Sequence, residues 1–210
     1  MPLDKRITLS HGAGGSVMGE LIEFITAIIT EKNVPNGIGL NELDDAGTIP
    51  MKDYEIILTT DAHTVSPIFY PGGDIGRLSI SGTVNDVLVM GGRPLAITNT
   101  IVMEEGFEVS KLKSILESMN ETAKEANVKI IAGDVKVVPH GNLDQILIST
   151  TGLGIIEKNK LILDSGLRPG NKIIVTGTIG DHGIAILAKR EGMKFETPLK
   201  SDTAPLVETI

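Results

Sequence analysis

The chain has 210 residues, of which 41% are hydrophobic and 22% are charged, and its formal net charge is −8. This composition predicts a globular protein with a substantial core, and the acidic balance argues against nucleic-acid binding, which needs clustered Lys and Arg. The sequence contains no cysteine, which excludes disulfides, a thiolate nucleophile and cysteine-ligated zinc. Because it has no apolar run of membrane-spanning length and no signal-peptide pattern, we expect a soluble cytoplasmic protein that does not bind membranes.

In the first part of the chain, apolar spacing predicts two strands and two helices. A short strand over residues 7–9 precedes a helix over about residues 16–32, in which apolar side chains recur at helical spacing. Residues 55–60 are predicted to form a buried strand, and residues 75–90 a largely apolar helix. Each predicted helix follows a glycine-rich turn.

The next part of the chain continues the mixture of strands and helices. Residues 94–103 alternate loosely and predict a strand, whereas residues 109–126 show the clearest amphipathic helix. Two further strands are predicted over residues 128–132 and 145–156. Because the order is not the strict βαβα alternation of a doubly wound sheet, we predict an α+β domain.

A turn cluster at residues 167–171 is the predicted domain boundary. We assign residues 1–166 to a first domain and residues 167–210 to the beginning of a second. The second region is predicted to hold a strand over 172–176, a helix, and a further helix with Pro205 in its first turn. A lone strand and helix cannot bury their apolar faces. We therefore expect an incomplete domain and the front part of a longer protein; the alternative is a short subdomain that packs on the first.

Two glycine-rich turns are candidates for binding an anion. His11, Gly12, Gly14 and Gly15 open onto the first helix, where unpaired N–H groups and the helix dipole favour negative charge. A similar turn at residues 71–76 precedes the second helix. The first turn does not match the dinucleotide fingerprint, because Val17 occupies its third glycine position, and no P-loop occurs in the sequence. Each could equally be an ordinary flexible turn.

Carboxylates next to glycine-rich or apolar segments suggest a phosphate–metal site. Asp86 follows Asn85 inside an apolar helix, where a carboxylate needs hydrogen bonds or a cation, unless it lies on the polar edge of the helix. Asp61 and Asp134 are predicted at the ends of strands, where a carboxylate can also simply cap a turn.

Two further positions extend this set of candidates. Asp45 belongs to an acidic pair in a weakly structured stretch and could be no more than a solvated loop residue. Lys136 follows Asp134 by two positions, so both side chains project from one face of an extended segment. A cation beside a carboxylate suits a phosphate–metal site but is also typical of a surface ion pair.

Seven segments occur in the same order as in the HypE family of hydrogenase maturation factors, within the PurM (aminoimidazole ribonucleotide synthetase) superfamily. The chain resembles this family over essentially its whole length. The segments are residues 8–15, 44–46, 60–61, 69–76, 81–86, 133–138 and 177–183. The combination of the turn at 71–76 with Gly-Asp-His-Gly at 180–183 is typical of HypE rather than of other superfamily members.

The resemblance implies a PurM-like architecture and an ATP-dependent activity. The family is expected to dimerise through its N-terminal domains and to bind ATP with Mg²⁺ near that interface. It is expected to dehydrate a thiocarboxamide on a C-terminal cysteine to a thiocyanate, for the cyanide ligands of NiFe hydrogenase. The implied partners are a second copy, a HypF-like carbamoyltransferase and a HypC–HypD-like iron–cyanide assembly complex.

The resemblance also implies roles for individual residues. Asp86 and Lys136 would be catalytic, and the remaining site residues would bind nucleotide or metal. The implied metal or phosphate-site acids are Asp45, Asp61, Asp86 and Asp134. The implied nucleotide-binding residues are His11, Gly12, Gly14, Gly15, Asp61, Asn85 and Asp134.

The chain departs from the family pattern in ways that affect function. It lacks the family's terminal cysteine and most of the second domain, and Val135 replaces a threonine usual in the Gly-Asp-Thr-Lys motif. We therefore expect that these 210 residues alone do not complete the reaction. The alternatives are a non-catalytic dimeric assembly module, or another ATP-dependent kinase or synthetase of the superfamily.

Overall fold

The structure is a computed structural model that describes residues 6–193, 195–197 and 199–210. The described strands are β1 (Gly47–Pro50), β2 (Tyr54–His63), β3 (Phe69–Tyr70), β4 (Gly73–Asp74), β5 (Arg93–Glu104), β6 (Lys129–Val138) and β7 (Ile146–Glu157). The described α-helices are α1 (Gly15–Ile28), α2 (Ile75–Val89), α3 (Val109–Glu125) and α4 (Asp181–Glu191). Short 3₁₀ turns occupy Leu9–Gly12 and Asp164–Gly166.

Five strands form one mixed sheet in the order β1-β2-β7-β5-β6. β5 and β6 run parallel, whereas the other neighbouring pairs run antiparallel. The remaining strands, β3 and β4, pair in a small hairpin that leads into α2. The α+β prediction is confirmed, and all three strands predicted between residues 94 and 156 lie in this sheet.

One face of the sheet is covered and the other is open. Alternate residues of β7, beginning with Ile146, Ile148 and Thr150, are buried, whereas those between them are half-buried. The buried set packs with α2 and α3 in the main core, in which Ile80 and Ile115 are fully enclosed. We call the other side, which carries Leu147, Ser149 and Thr151 on β7, the open face.

Local signals in the sequence account for the two core helices. The α2 helix begins where the Asp74 carboxylate accepts a hydrogen bond from the backbone N–H of Arg77 at 3.0 Å, an N-cap. The α3 helix ends before Asn127, whose backbone φ of 53° cannot continue a right-handed helix. No described helix is long and apolar enough to cross a membrane.

Three predicted elements are wrong. Residues 7–9 form no strand, because the His11 ring folds back to accept the Thr8 N–H at 3.1 Å and the chain turns into a 3₁₀ helix. Residues 172–176 are irregular, and Ile173 and Ile174 are 94% and 84% exposed. No described strand pairs with this segment, so its backbone lacks the partner that a strand requires.

The last helix predicted, around Pro205, is also absent, and residues 201–206 form an irregular segment. Side chains of α2 hold the backbone of this segment instead: the Asn85 amide nitrogen donates to the Ala204 carbonyl at 3.1 Å.

The predicted positions of two acids are also corrected, because Asp61 and Asp134 lie inside β2 and β6 rather than at strand ends.

Candidate functional site

Asp61 and Asp86 meet where α2 packs over β2. Thr59 Oγ1 donates to Asp86 Oδ2 at 2.9 Å, and the Asp86 carboxyl also shares a hydrogen bond with that of Asp61. The pKa of Asp86 is raised to about 7; burial is the largest cause, the negative charges of Asp61 and Asp45 also raise it, and the Thr59 hydrogen bond opposes them. The ionised form of Asp86 is thus disfavoured beside Asp61, and a bound cation would favour it.

Asp45 joins the same group from the loop before β1. Thr59 Oγ1 also lies 3.0 Å from the Asp45 carbonyl, so its single hydroxyl hydrogen is shared between this oxygen and Asp86 Oδ2, and the contact holds the loop against β2. Burial raises the pKa of Asp45, and the charges of Asp164, Asp44 and Asp61 add to that rise. We call Asp45, Asp61 and Asp86 the acidic cluster.

A buried network of hydroxyl and imidazole groups supports the acidic cluster. Thr83 Oγ1 donates to Asp61 Oδ2 at 3.3 Å and lies 2.6 Å from Thr150 Oγ1. His63 Nε2 is 3.1 Å from Thr150 Oγ1 and 3.9 Å from Asp61 Oδ2. Burial lowers the pKa of His63, and the Asp61 charge opposes part of that change.

The sequence interpretation missed this network, although one signal was available. Strand residues two apart project from the same face, so Thr59, Asp61 and His63 of β2 share the covered face. Thr83 and Thr150 carry no such signal, because their contact joins a helix and a strand 67 positions apart.

Asp134 and Lys136 lie elsewhere in this protomer. Asp134 pairs with Thr100 and Lys136 with Val102, positions of β5 that alternate with the buried Ile101. Both side chains therefore project on the open face, opposite the acidic cluster. The structure does not bring these two predicted site residues together with Asp61 and Asp86 within one chain.

Asn85 is committed to contacts other than those of the acidic cluster. Its amide nitrogen donates to the Ala204 carbonyl at 3.1 Å, and its Oδ1 accepts the Leu206 N–H at 2.9 Å. The side-chain amide of Asn85 thus donates to a backbone carbonyl and accepts from a backbone N–H, as a peptide group of a neighbouring strand would. The predicted contact of Asn85 with nucleotide is therefore not one that its observed hydrogen bonds favour.

The glycine-rich turn before α1 has an unusual backbone. Gly14 and Gly15 have φ values of 82° and 71°, a region that glycine adopts readily. His11 is 4% exposed and its Nδ1 lies 2.8 Å from Thr8 Oγ1, which rigidifies the turn. No hydrogen bond between described residues links this turn, including Gly12, to the acidic cluster.

A cavity of about 540 Å³ adjoins the acidic cluster. Its polar lining includes Asp44, Asp45, Thr59 and Lys32, and apolar side chains such as Ile22, Ile38 and Leu58 line much of the rest. This size and this mixture of walls are typical of sites for small ligands. A ligand in this cavity would present its polar end to the carboxylates.

The donor chemistry of the acidic cluster fits Mg²⁺, although its side chains are not in metal-binding positions. Among the described residues, no group of three or more His, Asp or Glu side chains is arranged to hold a metal ion. No described Lys or Arg pairs with these three carboxylates either. Carboxylate oxygens are the ligands that Mg²⁺ prefers, and a divalent cation would offset both the burial and the repulsion by Asp61 that raise the pKa of Asp86.

Comparison with known families identifies the fold. Residues 43–156 match the family model described as AIR synthase related protein, N-terminal domain. The chain belongs to this family. The matched residues cover α2, α3 and the five-stranded sheet up to Ile156, and they include all three residues of the acidic cluster.

Curated relatives connect the chain to hydrogenase maturation. It is 53% identical over 206 residues to MJ0676 of Methanocaldococcus jannaschii, named for hydrogenase expression and formation. It is 43% identical over 208 residues to carbamoyl dehydratase HypE of Cupriavidus necator. These alignments cover 98% of this chain but 61% and 57% of the two relatives, so the chain spans little more than half of their length.

Solved structures agree with the relatives. A HypE–HypF complex matches with a TM-score of 0.80 and 43% identity, over 92% of this chain and 60% of that chain. HypE in complex with ATP matches with a TM-score of 0.72 and 38% identity, over 97% of this chain and 59% of that chain. The resemblance to the HypE family and the PurM-like fold are confirmed.

Proposed function

We propose that this chain supplies the ATP-binding part of a HypE-like carbamoyl dehydratase that acts in hydrogenase maturation. In this reaction ATP phosphorylates the oxygen of a cysteine thiocarboxamide, and loss of phosphate leaves a thiocyanate for the cyanide ligands of NiFe hydrogenase. The 210 residues contain no cysteine, so they do not themselves provide the thiol. The observation that carries the proposal is the acidic cluster, whose charge no described cation balances.

The acidic cluster is proposed to hold Mg²⁺ and the phosphates of ATP. Asp86, Asp61 and Asp45 would be the metal ligands, and Thr59 and Thr83 would orient two of these carboxylates through the hydrogen bonds that they already donate. Mg²⁺ supplies charge neutralisation for the transferred phosphoryl group. The structure of a HypE in complex with ATP supports the nucleotide assignment.

Calorimetric titration with ATP, with and without Mg²⁺, tests this assignment. We expect Mg²⁺-dependent binding that weakens at least about tenfold in Asp86→Asn, because one charged ligand is lost. Asp53→Asn, which removes an exposed carboxylate outside the cluster, is the matched control and should bind as the wild type does. A folded wild-type protein that binds no ATP contradicts the proposal.

A homodimer formed through the open face is the second part of the proposal. It accounts for Asp134 and Lys136, which project on that face and would reach the cavity of about 540 Å³ in the partner copy, because Leu58 and Thr60 form part of the wall of that cavity from the same open face. There Lys136 would stabilise the charge of the transferred phosphoryl group. Half-buried aliphatic residues such as Leu147 and Leu153 supply the apolar surface that such an interface needs.

Sedimentation of a variant tests the dimer. Leu153→Glu places a charge at the centre of the open face and should convert a dimer to a monomer. Val109→Glu is the control, because Val109 is 79% exposed on α3, across the sheet from the open face. Identical sedimentation of Leu153→Glu and wild type would exclude this interface.

Partners and compartment follow the same proposal. A HypF-like carbamoyltransferase is supported by the solved HypE–HypF complex, and a HypC–HypD-like complex is proposed as the acceptor of cyanide. A cytoplasmic location would suit such an assembly. Co-purification of the chain with each partner, with Val109→Glu as a folded comparison, tests which contacts these residues provide.

A non-catalytic dimeric assembly module is the alternative that the missing cysteine favours. It predicts partner binding with neither ATP binding nor ATP hydrolysis. A kinase or synthetase of the same superfamily has less support. The match to AaThiL complexed with AMPPCP and TMP, at 21% identity and a TM-score of 0.69, shows a shared fold alone.

A further inference from the structure

A line of polar contacts runs behind the acidic cluster from His63 to Asp61. His63 Nε2 lies 3.1 Å from Thr150 Oγ1. That hydroxyl lies 2.6 Å from Thr83 Oγ1, which in turn donates to Asp61 Oδ2 at 3.3 Å. The direct distance from His63 Nε2 to Asp61 Oδ2 is 3.9 Å, which is too long for a hydrogen bond. The ring therefore reaches this carboxylate through the two hydroxyls.

These groups are closed off from solvent. Thr83 and Thr150 are 0% exposed, and the His63 side chain is 10% exposed. The α2 helix lies close against the ring, since a Cβ atom added to Gly82 would lie 3.1 Å from His63 Cε1. Buried hydroxyls are nearly always hydrogen-bonded within the protein. The contacts among these groups therefore determine which of them donate and which accept.

The hydrogens along the line can be assigned because a threonine hydroxyl has only one to donate. Thr83 directs its hydrogen to Asp61, so the hydrogen in the 2.6 Å contact must come from Thr150. Thr150 then has none left to donate to the ring. The 3.1 Å contact between the two therefore requires that His63 Nε2 carry a hydrogen and donate it to Thr150 Oγ1.

The reverse order of donors is less favourable. If Thr83 donated to Thr150, its oxygen would face the Asp61 carboxylate at 3.3 Å with no hydrogen between the two oxygens. The Ser79 carbonyl, 3.2 Å from Thr150 Oγ1, is the other possible acceptor for Thr150. It does not need this hydrogen, because a carbonyl in the middle of α2 already accepts the N–H four residues further along the helix.

From these contacts we infer that His63 is a positioning residue for Asp61 and acts on it through Thr150 and Thr83. We call this one-way series of hydrogen bonds the donor chain. Successive hydrogen bonds polarise one another, so the imidazole strengthens the final bond to Asp61 without touching the carboxylate. The donor chain thus fixes the orientation of Asp61 before a ligand binds. Only its consequence for Mg²⁺ and ATP rests on the proposed function.

Nitrogen NMR of the histidine rings, measured on the wild-type chain without metal or nucleotide, tests the direction of the donor chain. We expect His63 Nε2 to show the shift of a nitrogen that carries a hydrogen. Its N–H should exchange slowly with water, because its acceptor Thr150 is fully buried. His140, whose side chain is 85% exposed, is the internal control and should exchange rapidly. A His63 Nε2 without a hydrogen would mean that the hydrogen bonds run the other way, and it would overturn the inference.

Two conservative variants separate the donated hydrogen from other effects of losing the ring. The amide nitrogen of glutamine can take the place of Nε2, whereas that of asparagine reaches only the place of Nδ1. His63→Asn should therefore shift the carbon resonance of the Asp61 carboxyl group, and His63→Gln should restore it. Thr150→Val, which interrupts the donor chain, should shift the same resonance. An Asp61 resonance that is the same in His63→Asn, Thr150→Val and wild type would contradict a positioning role.

Calorimetric titration with ATP and Mg²⁺ measures the consequence for the proposed function. Affinity should fall about threefold in His63→Asn, the size expected for one neutral hydrogen bond, and should recover in His63→Gln. His140→Asn is the matched control and should bind as the wild type does. Wild-type affinity in a folded His63→Asn would show that the donor chain does not serve the ligand site. A wild-type protein that binds no ATP would refute the proposed function alone, because the His63 and Asp61 resonances decide the donor chain without nucleotide.

Discussion

The raised pKa of Asp86 makes a quantitative prediction about stability. In the folded protein this carboxyl has a pKa of about 7, against an ordinary value of 3.8. A raised pKa means that the folded state binds the proton more tightly than the unfolded state does. The stabilisation by this proton is therefore fully present below pH 3.8 and is lost as the pH rises through about 7.

The size of the effect follows from the difference between the two pKa values. Taken at face value, a change from 3.8 to about 7 corresponds to about 4 kcal/mol. Solvent reaches part of this half-buried side chain and screens its charge, so we expect about 1–2 kcal/mol. Asp86→Asn keeps the shape but cannot ionise, and it should therefore be more stable than the wild type by this amount at pH 8 and nearly equal to it at pH 4.

Urea unfolding across pH 4–9 in the presence of a chelator measures this difference without interference from divalent cations. Asp53→Asn is the matched control, because Asp53 is exposed and outside the acidic cluster, and its difference from wild type should not vary with pH. A stability difference between Asp86→Asn and wild type that stays constant from pH 4 to pH 9 would refute the reasoning.

Three further predictions concern packing and the held segment. Gly154→Ala would place a methyl group against Val87 and should lower the free energy of unfolding by about 1–3 kcal/mol. In Gly183→Ala the added methyl group meets no neighbour, so this variant should stabilise α4 by about 0.5–1 kcal/mol. Thermal unfolding of both variants checks these values. Asn85→Ala should speed hydrogen exchange at the Leu206 amide about tenfold while leaving ATP affinity unchanged, and a loss of ATP affinity would restore a nucleotide role for Asn85. Thr83→Val should cost about 1–3 kcal/mol in urea unfolding, and no cost would mean that its hydroxyl is dispensable.

Much of the fold could be predicted from local patterns. The amphipathic spacing of α3 and the alternation along β7 are strong signals, because one face of each element is buried. The failures occurred where the outcome depends on partners far away in the chain. The apolar run at residues 172–176 has strand-like composition, but a strand needs an edge with which to pair, and composition cannot supply one.

The sequence indicated several residues of the candidate site, but it did not indicate how their side chains are arranged. Asp61 and Asp86 were both named as candidate site acids, and the structure places them side by side where α2 packs over β2. Asp134 was grouped with them because its motif is acidic and glycine-rich, yet the face from which it projects depends on the register between β5 and β6. Register is a tertiary property, and a shift by one residue exchanges the two faces.

The strand order has a consequence for how the chain reaches this structure. β7 lies between β2 and β5, and Thr60 of β2 bonds to Thr150 of β7 across 90 positions. Until β7 has been synthesised, β2 and β5 lack the neighbour that joins them, and their apolar residues are exposed. Such nonlocal pairing slows folding and leaves unpaired strand edges open to aggregation. A pause in translation before β7 (Ile146–Glu157) has been made should therefore increase misfolding more than a pause after residue 157.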